Sequence, residues 1–131
     1  MSYIKLNGIE FDADVAIEKY NRNFNVLDGQ NAGRVMTGTM IRDIIGTYLG
    51  HKVTIFRRGD NYEGLDRFWD YLFTHSVDGS VLLEAADGQS SISYEAYYTS
   101  ASQDIEHVSG GVNYWGPVEV NFIPMDAQLR P

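Results

Sequence analysis

Apolar and polar residues alternate in short runs along most of this chain, and glycine-containing turns interrupt the alternation. Residues 3–6 and 9–12 flank Asn7-Gly8, a dipeptide that accepts two successive positive φ angles, which predicts a hairpin with a type I′ loop. That loop sets Leu6 opposite Ile9, Lys5 opposite Glu10 and Ile4 opposite Phe11. Ile4, Leu6, Ile9 and Phe11 then share the core face, and Lys5 pairs with Glu10 on the other. Residues 19–26 carry an Asn-rich mixture that suits an irregular or bulged strand better than a helix. Residues 28–33 contain Gly29 and Gly33 and read as a loop. Residues 34–48 are dense in β-branched side chains and predict one long strand, with Gly38 and Gly46 as bulges or points of close backbone approach. A turn over 49–52 then leads into a strand over 53–57.

Between about residues 61 and 75 the period changes. Leu65, Phe68, Trp69, Leu72 and Phe73 fall at i, i+3, i+4, i+7 and i+8, one wide apolar stripe of a helix. Asp60 and Glu63 have capping-box spacing, and Asp78-Gly79 ends the unit. Alternation then resumes. Asp87-Gly88 predicts a second hairpin with Leu83 opposite Ile92, its second strand running on to Tyr98. Residues 99–104 read as a polar loop, Ser109-Gly110-Gly111 as a third turn, and 118–123 as a last strand that Pro124 stops. Residues 125–131 show no pattern and are expected to form a flexible C-terminal tail.

The whole predicts a single domain over 1–131, mainly β (α+β). It is an antiparallel β-sandwich or split barrel of about seven to nine strands, with one packed amphipathic helix. A chain of 131 residues can bury a core without disulfides, and there are no cysteines to form them. No apolar run is long enough for a membrane helix, and no leader pattern opens the chain. The net charge of −8 is uneven: residues 1–60 sum to +1 and residues 61–131 to −9. An acidic half argues against wrapping nucleic acid. Two readings of it stand, a solvated surface or one side of a subunit facing an oppositely charged neighbour.

Chemistry-bearing motifs are sparse. His51, His75 and His107 are isolated in sequence and suit surface or capping roles. Asp12 and Asp14 have the spacing of two calcium ligands but lack the glycine and later glutamate of a calcium loop. Asp66 and Asp70 share a helix face at i, i+4 and suit a solvated outer surface. No phosphate-binding loop, nucleophile elbow or metalloprotease motif occurs. The expectation is a protein without catalytic residues, metal, cofactor or small-molecule ligand. Tyr94, Tyr97, Tyr98, Tyr114 and Trp115 leave two readings open, core or interface packing and a sugar-stacking platform.

With this layout in view, the chain resembles bacteriophage and prophage tail proteins, in particular the N-terminal domain of distal tail proteins. The resemblance runs from the Tyr3–Phe11 hairpin segment (residues 3–11) through the strand region 33–48 and the lone aromatic helix. It continues through the Asp87-Gly88 hairpin ending in Tyr94-Glu95-Ala96-Tyr97-Tyr98 to the closing Tyr114-Trp115 and Val120-Asn121-Phe122-Ile123-Pro124. It implies a non-enzymatic structural subunit of the virion tail, made in the bacterial host cytoplasm. Such subunits commonly form a hexameric ring around the DNA channel and contact other tail proteins. Tail-tube or tail-completion subunits are the nearest alternative, and a β-rich carbohydrate-binding module is the alternative from another class. Expected assembly contacts are three locally patternless segments: Asp28, Gly29, Gln30, Asn31 and Gly33; Ser100, Ser102, Gln103 and Asp104; and Met125 and Leu129.

Overall fold

A computed structural model describes residues 3–131. Its elements in chain order are β1 (Ile4–Leu6), β2 (Ile9–Glu10), β3 (Val15–Asp28), β4 (Gly33–Arg34), β5 (Met40–Ile41), β6 (Ile44–Arg57), α1 (Tyr62–Thr74), β7 (Val81–Asp87), β8 (Ser90–Tyr97), β9 (Ala101–Ser109) and β10 (Val112–Pro124). One layer is β2-β1-β7-β8 and the other β9-β10-β6-β3, all antiparallel. The last two residues of β10, Ile123 and Pro124, pair with Tyr97 and Ala96 of β8, so β10 belongs to both layers. This is the mainly β sandwich with one packed helix that the alternation predicts.

The core lies between the layers. Ile4, Leu6, Val81, Leu83, Ala85 and Ala96 line one inner face, and Val53, Ile55, Val118, Val120 and Phe122 the other. Helix α1 packs against β3, β6 and β10 and supplies Leu65, Phe68 and Leu72. The Phe68 ring meets Phe11 edge-on, with centroids 5.1 Å apart. Two stripe members depart from expectation: Trp69 is only partly buried, and Phe73 is 73% exposed. They lie toward one edge of the stripe, where the sheet no longer covers the helix.

The turns follow backbone chemistry closely. Asn7 and Gly8 have φ of 52° and 84°, and Lys5↔Glu10 and Leu6↔Ile9 pair as the I′ loop requires. Ile9 is nevertheless 45% exposed, because β2 is a two-residue edge strand. In the second hairpin Asp87 pairs with Ser90, so the loop is Gly88-Gln89 and not Asp87-Gly88. Gly88 takes φ 58° as the first central residue, the position where a II′ turn demands glycine. Leu83 therefore faces Tyr94 where Ile92 is expected. The slip is two residues, so every side chain keeps its face.

Three sequence expectations are corrected. The strand over 34–48 and the turn over 49–52 do not exist. Residues 33–41 fold as a small β4–β5 hairpin whose turn contains Gly38 at φ 87°, and β6 runs unbroken from Ile44 through the supposed turn to Arg57. Gly50 sits inside β6 because a Cβ there would lie 2.8 Å from the Phe122 carbonyl of β10. Asn61, not Asp60, caps α1: its side-chain oxygen accepts the Gly64 N–H at 3.0 Å. Finally, residues 101–104 lie in β9, paired with β10, and β10 is continuous from Val112 to Pro124 with register shifts near Trp115.

Candidate functional site

The distal halves of β3 and β6 extend past the core as a two-stranded arm. Register holds them together through Phe24↔Leu49, Val26↔Thr47 and Asp28↔Ile44, yet every residue from 21 to 27 is exposed. A two-stranded ribbon has no third strand or opposing layer to bury either face. Its apolar side chains therefore stand in solvent. Phe24 is 67% exposed, Met36 in the β4–β5 turn is fully exposed, and Val26, Leu27, Ile41, Ile44 and Ile45 are each exposed. Apolar exposure this concentrated sets the arm apart from the scattered exposed leucines that need no explanation.

Polar contacts fix the joint where the arm meets the β4–β5 hairpin. The Asp28 carboxylate accepts from Arg42 Nε at 2.9 and 3.0 Å and from the Asp43 N–H at 3.2 Å. The Arg42 hydrogen bond is the largest influence holding Asp28 below its ordinary carboxylate range. The Gly29 N–H donates to the Asp43 carbonyl at 2.7 Å, and a Cβ on Gly29 would sit 2.6 Å from the Asp43 carboxylate. Of the expected contact residues, Asp28, Gly29 and Asn31 take part in this joint, and Gly33 opens the β4–β5 hairpin.

The C-terminal segment docks at the root of the same arm. The Thr47 N–H donates to the Leu129 carbonyl at 2.9 Å, and the Gln128 N–H donates to the Thr47 carbonyl at 3.0 Å. The Gln128 side chain bonds both the N–H and the carbonyl of Leu49 at 2.8 Å. Gly46 permits this approach, since a Cβ there would meet Ala127 at 2.6 Å. Met125, Gln128 and Leu129 are therefore hydrogen-bonded to the body within the segment expected to form a flexible tail. Met125 bonds Glu95, while the Leu129 side chain faces outward at 68% exposure. Ser100 lies between β8 and β9, and Ser102, Gln103 and Asp104 lie on β9. Two of the three expected segments meet the arm; the third lies on another strand.

The arm's apolar residues were not singled out from sequence. Phe24 and Val26 alternate with Asn21, Asn23 and Asn25 as on a half-buried strand, and periodicity alone cannot tell whether the apolar face is covered. The histidines do not converge. His51 is fully buried, contrary to a surface role. Its ring nitrogens meet the Tyr94 hydroxyl at 2.7 Å and the Ala86 carbonyl at 3.1 Å. His75 follows α1 and contacts Asp78, and His107 stacks on Tyr114. Asp14 ion-pairs with Arg67 at 2.5 Å, beside the helix start. Three of the five aromatic residues considered for a sugar platform are engaged elsewhere: Tyr94 faces His51, Tyr98 donates to the Leu72 carbonyl at 2.6 Å, and Tyr114 stacks on His107 and meets Tyr62 edge-on. Among the described residues no cluster of side chains suits a metal ion, and no helix is long and apolar enough to cross a membrane.

Comparison with protein-family models and with curated proteins gives no match. Among solved structures the chain is similar to the Dit protein of phage SPP1, described as a paradigm of the hub adsorption apparatus in phages that infect Gram-positive hosts. The TM-score is 0.51 and the identity 18%. The similarity covers 95% of this chain and 49% of that one, so the chain spans about half the length of the protein it matches. At this identity the likeness is one of fold.

Proposed function

We propose that this protein is a structural subunit of a phage or prophage tail, assembling with copies of itself into a ring at the hub of the distal tail. The observation that carries the proposal is the apolar arm, on a fold that the chain shares along 95% of its length with a phage hub protein. A lone subunit leaves Phe24, Met36 and Ile44 in water. Seating the arm on a neighbour would bury them, at about 25 cal/mol for each Å² of apolar surface removed. The same contact would cover β3, which is an edge strand of its layer with unpaired backbone groups. In this reading the protein works by assembly, without catalysis, and the acidic half lines the passage. A polyanion then slides through without adhering, because like charges repel. Its partners are other tail proteins.

Light scattering across protein concentration, followed by negative-stain imaging, tests the proposal. A hexamer has a mass of about 89 kDa, six times the 14.8 kDa of one chain. The double variant Phe24→Asp, Met36→Asp is expected to remain folded, since neither residue touches the core, and to shift to the mass of one chain. A native protein that stays at one-chain mass at every concentration would overturn self-assembly through the arm.

A further inference from the structure

Beside the buried face of α1, the helix and the β9–β10 hairpin flank a surface cleft of about 680 Å³. Asp66, Trp69 and Asp70 form the helix wall, falling at i, i+3 and i+4 on one face. Gln103 of β9 and Asn113 and Trp115 of β10 form the other. The chain has two tryptophans, and both line this cleft.

Two features set the cleft apart from ordinary surface. The register of β10 against β9 breaks on either side of Trp115, between Tyr114 and Trp115 and again before Val118. Bulges of this kind re-aim a side chain and are over-represented beside functional sites. The polar lining is also unspent. The side chains of Asp66, Asp70 and Asn113 make no hydrogen bond or ion pair among the described residues, and neither indole N–H is donated. Gln103 gives its amide N–H to the Gly116 carbonyl at 2.8 Å, which leaves its side-chain oxygen free to accept.

This combination selects its ligand. A purely apolar partner would strip water from two carboxylates with nothing to replace it. An anion would meet Asp66 and Asp70 with like charge. A pyranose fits both demands: its C–H faces stack on indole rings, and its rim of hydroxyls donates to carboxylates and exchanges hydrogen bonds with amides. We infer that the cleft between α1 and the β9–β10 hairpin binds a neutral oligosaccharide, stacked on Trp69 and Trp115 and held by Asp66, Asp70 and Asn113. The inference does not depend on the ring reading, since the cleft is built within one chain.

Because both tryptophans line the site, intrinsic fluorescence of the full chain reports on it directly. Titration with chitotetraose, cellotetraose, maltotetraose and mannotetraose is expected to give a saturable blue shift and quenching with at least one of them. The double variant Asp70→Ala, Asn113→Ala alters only exposed side chains. It should keep the free-protein spectrum and circular dichroism while weakening that sugar about tenfold or more. No spectral change with any of the four at about 10 mM, which is weaker than useful recognition, would overturn the inference. So would a response to choline and to no sugar, which would assign the cleft to a cation held by ring faces. A shift that follows protein concentration alone would also overturn it, by assigning the cleft to contact between copies.

Discussion

Replacing His51 with leucine tests whether the imidazole between the two layers is held neutral. The ring has no exposed surface. A carbonyl only accepts, so the Nε2 facing Ala86 carries the proton, and the Nδ1 facing Tyr94 accepts from its hydroxyl. Burial is the largest influence on His51 and lowers its pKa below the ordinary 6.5, against the raising effects of the Ala86 carbonyl and Asp87. The unfolded chain therefore takes up a proton, as pH falls through about 6.5, that the folded protein refuses. The neutral ring's contribution to stability is present above that pH and declines below it. A site that stays neutral in the fold loses at most about 1 kcal/mol between about pH 6.5 and 5.5. At about pH 7.5 the leucine variant leaves the Tyr94 hydroxyl and the Ala86 carbonyl without their partner, a cost of about 1–3 kcal/mol. Urea unfolding of both proteins at the three pH values gives the difference curve, in which all other titrating groups cancel. The gap should narrow, by up to about 1 kcal/mol, on acidification from about pH 6.5 to 5.5. A gap that stays constant or widens would show that the folded protein takes up this proton at least as readily as the unfolded chain, and would refute a ring held neutral by burial.

Two further perturbations probe the packing and the docked C-terminal segment. Phe68→Ala removes a fully buried ring that meets Phe11 edge-on, and it should cost about 3–5 kcal/mol in denaturant unfolding. Gly46→Val places side-chain carbon within 2.6 Å of Ala127 and 2.9 Å of the Leu129 carbonyl. It should lift residues 127–129 off β6, read as lost hydrogen-exchange protection at the Thr47 and Gln128 amides; unchanged protection would rule out that docking.

The parts of the fold that were legible from sequence are those decided by local chemistry. Asn7-Gly8 and Gly110-Gly111 take the positive φ angles their turns require, and the period of Leu65, Phe68 and Leu72 finds the helix face that is buried. The failures occur where a neighbour distant in sequence decides. Residues 49–52 look like a turn because Gly50 is read as a breaker, but its missing side chain makes room for the β10 carbonyl at Phe122. Residues 125–131 look patternless because Gln128 is held by the backbone of Leu49, a contact across 79 positions. His51 reads as a surface residue because nothing adjacent announces Tyr94 and Ala86 as its partners. The arm was invisible for a related reason, since alternation reports which residues share a face and not whether that face is covered.

Strand β10 carries a consequence for how the chain reaches this state. It is the last strand in chain order, and it pairs with β6, β8 and β9. During synthesis the β3–β6 hairpin can form early from neighbouring residues, whereas its layer gains a centre only when β10 arrives, pairing Val118 with Ile55. Contacts this distant in sequence close late and slowly. Until then the nascent protein displays both the unpaired edge of β6 and the apolar arm, the kind of surface that aggregates or recruits a chaperone. Arrival of β10 covers the first of these and leaves the second, so the emerging molecule passes from two sticky surfaces to one.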